Sequence, residues 1–403
     1  MVNPDSDASG RVNVAIDVSA VHAGSGGVLR YVTELVRHLP GSGVHATLID
    51  QRSRSVGGSR ELFGLDEATF VAGRAPGPRL WRLAWEQYAL DRVVGNLDIE
   101  LLHSPHYTMP RWHLPLGPWR TGGNGPGSRK RPAHVVTVHD LTFFSLPHLH
   151  ARSKRRMFQS SIRFAALHAD ALICVSDRTA DQLRHYVDVK APVVVAPHGI
   201  DPNRFRPSSA DTEEPDARVL ARYGIVGPYV LWLGAIAPHK NLGTLMQAFN
   251  RVAPAGLGLV VGGKSWPGAW ESVVPHVPAV AKRIGFVPDD DVPALLRNAA
   301  VFAYPSFEEG FGLPVLEALA CGTVVLTSRD TVMADVAGSE AVLVDPTLVE
   351  AVAEGLRGAL ELGGSPEQSV GRKARIDRAG TFTWERSARL HSDAYRLALE
   401  GAS

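Results

Sequence analysis

The chain has 403 residues, 45% of them hydrophobic and 21% charged, so it is too long for one hydrophobic core and too apolar for a disordered chain; two soluble domains are expected. Its formal net charge of +1 supplies no global field for nucleic acid, and none is expected as a partner. The polar start, Met1 to Gly10, and the lack of any run near ~20 apolar residues predict neither a secretory signal nor a membrane span, and so a cytoplasmic protein.

Along the chain, short β-branched runs alternate with longer amphipathic stretches, the pattern of parallel sheets flanked by helices. Strands are expected at residues 12–18, 46–49, 99–102, 135–138, 171–175 and 193–196, then at 229–233, 257–261, 283–287, 301–304, 323–327 and 341–344. The same α/β architecture therefore occurs twice. It predicts an N-terminal Rossmann-like domain over 1–203 and a second over 204–383, with a ligand cleft between them at the carboxyl ends of the strands. Residues 201–216, rich in Pro, Ser and acids, read as an exposed linker and hinge. Residues 384–403 close the chain with helical periodicity in Ala388, His391, Ala394, Tyr395 and Leu399, and this helix could cross back onto the first domain.

Arg111 to Pro132 interrupts the pattern with five basic residues and many Gly and Pro. It reads as a long loop, either a solvated insertion or a contact for acceptor or membrane, with Arg152, Lys154, Arg155 and Arg156 nearby in sequence. Cys174 and Cys321 lie among apolar neighbours, as expected of buried inert thiols.

The most informative stretch runs from Ser306 to Cys321. It follows an apolar strand and places Pro314 in the first turn of the next helix, where its missing N–H costs nothing. Gly310 and Gly312 permit close backbone approach to a ligand, with Phe311 and Leu313 between and after them, and the helix start favours phosphate. Two carboxylates there, Glu309 and Glu317, suit sugar hydroxyls better than phosphate.

Lys240 follows a strand and precedes a helix, where its ammonium can reach a diphosphate. His139 follows residues 135–138, at a strand end that faces a ligand. Asp140 is expected to orient His139 or the adjacent loop. Gly24, Gly26 and Gly27 do not complete a Gly-x-Gly-x-x-Gly dinucleotide fingerprint, since Arg30 rather than Gly follows at the needed interval after Gly27.

These segments together resemble family 4 of the GT-B glycosyltransferases. Glu309 and Glu317 match its paired-glutamate signature, Gly24 to Tyr31 its first glycine-rich loop, Val138-His139-Asp140 its central histidine motif, Pro197 to Asp201 its interdomain motif, and Leu233-Gly234 through Asn241 its phosphate loop. The resemblance implies retaining hexosyl transfer from a nucleotide sugar, mannose or a related hexose, to a glycan or lipid-linked acceptor. It implies His139 beside the donor hexose, Glu309 on the hexose, Glu317 on the ribose, and Gly26, Gly27, Gly234, His239, Gly310, Phe311, Gly312 and Leu313 around the donor. The family's Arg after Gly234 is replaced by Ala235, which leaves His239, Lys264 or an Arg of the first domain to supply a second cation. No Asp-x-Asp triplet is expected to hold a divalent ion, so metal independence follows, with no cofactor besides the substrate. A small secondary metabolite as acceptor, a catalytically silent sugar-nucleotide-binding subunit, and peripheral contact with anionic membrane at the cytoplasmic face remain open.

Overall fold

A computed structural model describes residues 11–21, 26–50, 62–65, 69–72, 85–87, 90–95, 97, 99–110, 131–364 and 368–401. They group into two compact units, Met1–Gly199 with Trp384–Ser403, and Ile200–Thr383.

The first unit carries strands β1 (Val12–Asp17), β2 (Val44–Asp50), β3 (Thr69–Ala72), β4 (Leu101–Ser104), β5 (Ala133–Val138), β6 (Ala171–Cys174) and β7 (Val193–Val195). They form one sheet in the order β3-β2-β1-β4-β5-β6-β7, parallel throughout. All residues of β4, β5 and β6 are buried, which is why these runs are mostly apolar or β-branched and do not alternate; the exceptions, His103, Ser104 and His134, are hydrogen-bonded within the sheet. The second unit carries β8 (Tyr229–Leu233), β9 (Gly258–Gly262), β10 (Ala281–Gly285), β11 (Val301–Tyr304), β12 (Val325–Ser328) and β13 (Val342–Val344), ordered β10-β9-β8-β11-β12-β13 and again parallel.

In each unit the first strand is central, the second and third lie to one side, and the fourth onward to the other. The direction of winding therefore reverses between β1 and β4, and again between β8 and β11. Open parallel sheets bind ligands at such reversals, beyond the strands' carboxyl ends.

The helices that matter here are α1 (Gly27–His38), α2 (Ala210–Arg222), α3 (Leu242–Val252), α4 (Leu313–Ala320) and a closing helix, Trp384–Gly401. Two expectations are corrected. Strand β3 was not anticipated: it has four residues at a sheet edge, too few for a period of two to register. The segment 201–216 is no hinge in its second part, because α2 starts at Ala210. Asp211 and Glu213 fall in its first turn, where the helix dipole favours them, and the hydroxyl of Thr212 accepts from the Ser209 amide. Asp216, buried, receives Arg297 Nε at 2.8 Å and Nη2 at 2.5 Å.

The closing helix buries Trp384, Ala388, His391, Ala394, Tyr395 and Ala398 in the core of the first unit, with Val14, Ile16, Val135 and Tyr31. A polar chain crosses that core. His391 Nδ1 is 2.7 Å from the Ser387 carbonyl, which can only accept, so the proton sits on Nδ1 and Nε2 accepts from the Tyr31 hydroxyl at 2.8 Å. Tyr31 must then accept from Thr137 (2.9 Å), Thr137 from His103 Nε2 (2.8 Å), and His103 Nδ1 from the Tyr395 hydroxyl (2.9 Å). Every member is satisfied only while both histidines are neutral.

Cys174 and Cys321 are free and buried, and burial pushes both thiols up to about 12. No helix among the described residues is long and apolar enough to cross a membrane.

Candidate active site

The winding reversal of the second unit lies between β8 and β11, and the segments leaving these two strands carry Lys240 and Glu309. After β8 the chain passes Gly234 and Ala235 into a 3-10 turn, Pro238–Lys240, which Asn241 ends in the left-handed region at φ 55. Asn tolerates that conformation better than most side chains, and here its amide donates to the carbonyls of Pro305 (3.0 Å) and Pro346 (2.7 Å). The His239 carbonyl accepts from the Phe307 amide at 2.8 Å and the Ser306 hydroxyl at 3.0 Å. The two segments are thus laced together by main-chain groups.

That lacing brings Lys240 Nζ into an ion pair with Glu309 Oε1, the side chains only 15% and 13% exposed. The ammonium also stands 5.5 Å from the centroid of the Tyr304 ring, a cation–π distance. Burial alone would lower the Lys240 pKa; the Glu309 charge, with Tyr304, outweighs it and holds the pKa well above the usual lysine value. Tyr304 is itself raised, first by burial and then by Glu309. A buried pair of this kind is costly to break from one side, because the remaining charge has no partner. An incoming ligand must therefore offer an anion to Lys240 and hydrogen-bond donors to Glu309 together. A sugar diphosphate offers both.

Two glycines are required by geometry. A Cβ on Gly263, at φ +134, would lie 1.7 Å from the Gly234 carbonyl oxygen, so the backbones meet there only without a side chain. Gly312, at φ +96, precedes α4, and a Cβ on it would lie 2.9 Å from Met333. No side chain caps α4 or α1; in α4 Pro314 has no N–H and the Val315 amide bonds the Gly312 carbonyl, so of its first turn only the Leu313 amide remains to meet a ligand. Gly26, the N-cap of α1, and Gly27 are exposed, whereas Gly24 lies outside the described residues. Phe311 is buried and meets Phe382 edge-on at 5.8 Å, Leu313 is buried in the first turn of α4, and Gly310 is part-buried. Glu317 is buried one turn along α4. The His239 ring faces Trp266, centroids 5.6 Å apart, and Lys264 lies over Phe286 at 4.5 Å.

In the first unit His139 follows β5, half-buried. Its Nε2 donates to the Pro105 carbonyl at 3.0 Å, which fixes the tautomer and leaves Nδ1 as a lone pair. Burial lowers its pKa, with Asp140 and the Pro105 bond working against that, so the ring is neutral near pH 7. His198, from the Pro197–Asp201 segment, is buried against Tyr31 and Trp384, and burial lowers its pKa well below the usual value. Asp140 holds the loop: it accepts from the Thr142 amide (3.0 Å), the Thr142 hydroxyl (2.7 Å) and the Tyr107 hydroxyl (2.7 Å).

The expectation about Asp-x-Asp needs correcting on the residues themselves, since the spacing occurs twice. Asp5-Ser6-Asp7 lies outside the described residues. In Asp289-Asp290-Asp291, Asp291 takes Arg222 Nη1 at 2.9 Å and the Tyr223 hydroxyl at 2.7 Å, and Asp289 faces Arg204 at 3.8 Å, so both outer carboxylates are committed to local cations or donors. Of the basic loop, residues 111–130 lie outside the described residues; Arg152, Lys154 and Arg156 are exposed on the helix Arg152–His168. Tyr304 and Asn241 were missed by sequence reading, because an aromatic strand end and an Asn before a helix carry no chemical signature on their own.

Comparison with known proteins adds the following. The family described as "Glycosyltransferase Family 4" matches residues 25–204, and "Glycosyl transferases group 1" matches residues 226–376. O-antigen chain mannosyltransferase B of Escherichia coli is 29% identical over 271 residues, 65% of this chain and 70% of that one. Among solved structures, a sucrose-phosphate synthase from Thermosynechococcus elongatus superposes with a TM-score of 0.74 at 19% identity, over 96% of this chain and 98% of that one. Anabaena Alr3699/HepE, in complex with UDP and glucose, gives 0.70 at 14% identity, over 95% and 99%.

Proposed function

Because the chain belongs to glycosyltransferase family 4, with the GT-B fold, we propose that it transfers a hexose from a nucleotide-sugar donor to a glycan or lipid-linked acceptor, with retention of configuration. The observation that carries this reading is the Lys240–Glu309 pair, held at the winding reversal of the second unit's sheet.

In this reading the diphosphate takes over Lys240, and the hexose hydroxyls take over Glu309. Transfer requires a stabilised leaving group and an oxocarbenium-like centre; Lys240 meets the first need and Glu309 the second. The Leu313 amide at the start of α4, reached past Gly310, Phe311 and Gly312, adds positive potential at the phosphates, as does the turn of Gly234 and His239 before α3; the family resemblance assigns Gly26 and Gly27 to the donor as well. Glu317 holds the ribose. Neutral His139 accepts a hydroxyl of the hexose or acceptor through Nδ1. A departing diphosphate oxygen takes the acceptor proton on the face it leaves, so no side chain need serve as nucleophile. No metal is needed for this step.

Mannose or a related hexose is the sugar favoured by the resemblance to the O-antigen chain mannosyltransferase B of Escherichia coli. The silent-subunit reading draws on Ala235, which removes one cation from the donor loop. Incubation with a panel of GDP, UDP and dTDP sugars, without acceptor and with EDTA present, decides between them. Slow hydrolysis of one donor supports an enzyme that needs no metal for departure of the leaving group. Tight binding without release of nucleoside diphosphate, both with EDTA and with Mg²⁺ or Mn²⁺ added instead, sinks the catalytic reading.

A further inference from the structure

The first unit has its own winding reversal, between β1 and β4, and a second cluster of ligating groups stands there. Asp17 ends β1; His106 lies two residues beyond β4; Glu86 comes from a helical stretch over residues 85–87. One oxygen from each carboxylate and one His106 nitrogen lie within 4.8 Å of one another. Asp17 is fully buried, Glu86 is 1% exposed, and the His106 side chain is 13% exposed.

Thr108 ties two members of the cluster together. Its hydroxyl donates to Glu86 Oε2 at 3.0 Å and lies 2.8 Å from His106 Nδ1, to which its amide donates at 3.4 Å. His106 Nε2 faces the buried Asp17 Oδ2 at 3.7 Å, too far for a hydrogen bond. Two buried carboxylates and an imidazole that converge on one point form a donor set for a cation.

We propose that Asp17, Glu86 and His106 bind a divalent transition-metal ion, Mn²⁺ or Zn²⁺, at the carboxyl ends of β1 and β4. Mixed carboxylate and imidazole donors suit these ions, and Thr108 acts as the outer partner that orients the ligating histidine. Donors about 2.1 Å from an ion lie roughly 3–3.5 Å apart, so the cluster needs to contract by about 1 Å, within reach of side-chain torsions. The ion ties the 85–87 segment to two central strands. Three protein donors leave coordination open to water or a ligand hydroxyl. The proposal is independent of the donor chemistry of Lys240 and Glu309.

The test uses the full chain without a histidine tag, stripped with chelator and dialysed free of it, and titrated with Mn²⁺ alone under electron paramagnetic resonance. One equivalent is expected to bind with a dissociation constant well below millimolar, to show hyperfine coupling to an imidazole nitrogen, and to raise the melting temperature by several degrees. Glu86→Gln and His106→Asn should each weaken binding tenfold or more. Should either variant fail to fold, the nitrogen coupling in the wild-type chain decides. Absence of binding would overturn the proposal. Binding without nitrogen coupling, or equal binding in folded variants, would overturn it as well.

Discussion

The polar chain from Tyr395 through His103, Thr137 and Tyr31 to His391 makes the first unit sensitive to acid in a calculable way. Burial, set against the Ser387 bond, lowers the His391 pKa to about 4, whereas an unfolded histidine titrates near 6.5. Above 6.5 both states are neutral and His391 contributes its full stability. Below 6.5 the unfolded chain gains a proton that the folded chain refuses until about pH 4, so stability falls across that window. Between pH 7.5 and 5.5 the unfolding constant should rise about tenfold from this residue alone, roughly 1–2 kcal/mol. His103 and His198, both lowered chiefly by burial, push in the same direction. The assay is urea unfolding of wild type and His391→Gln at both pH values, read by near-ultraviolet circular dichroism. The variant should be less stable at pH 7.5 but lose less on acidification, by about that tenfold factor. Equal acid dependence in the two proteins would mean that His391 titrates normally when folded, and would refute the neutral chain.

Three further outcomes are expected. Lys240→Met should lower donor turnover about a hundredfold or more and also destabilise the second unit by several kcal/mol, since Glu309 is left buried without its partner; adding Glu309→Gln should restore stability but not turnover, measured by thermal melts beside initial rates. Glu309→Gln alone should depress kcat with little change in affinity for the free nucleoside diphosphate, whereas Glu317→Gln should mainly raise donor KM; calorimetry giving the opposite pattern would reverse the two roles. Gly263→Ala should destabilise the second unit by about 3 kcal/mol or more, because the new Cβ would lie 1.7 Å from the Gly234 oxygen at a φ of +134, and a melting curve unchanged from wild type would contradict that backbone approach.

Much of the fold was legible because buried parallel strands must be apolar on both faces: Val135–Val138 and Val301–Tyr304 announce themselves without context. The segment 201–216 misled because its acids and prolines look solvent-bound, while α2 is fixed by Arg297, distant in sequence from Asp216. Glu309 and Lys240 were visible through their local motifs. Their pairing was not, since it depends on Asn241 adopting a left-handed turn and on carbonyls that every residue possesses. Asp17, Glu86 and His106 form no motif, and only the neighbouring positions of β1 and β4 in the sheet bring two of them together.

The closing helix also sets an order of assembly during synthesis. Residues 384–401 complete the core of the first unit, yet the ribosome makes them only after the whole of Ile200–Thr383. At roughly 5–20 residues per second, the nascent first unit waits on the order of ten to forty seconds with the core positions around Val14, Ile16 and Tyr31 uncovered. The second unit, contiguous in the chain, can finish folding in that interval. The unit that emerges first is therefore the last to close, and until it does, its apolar face is a substrate for chaperones and for aggregation.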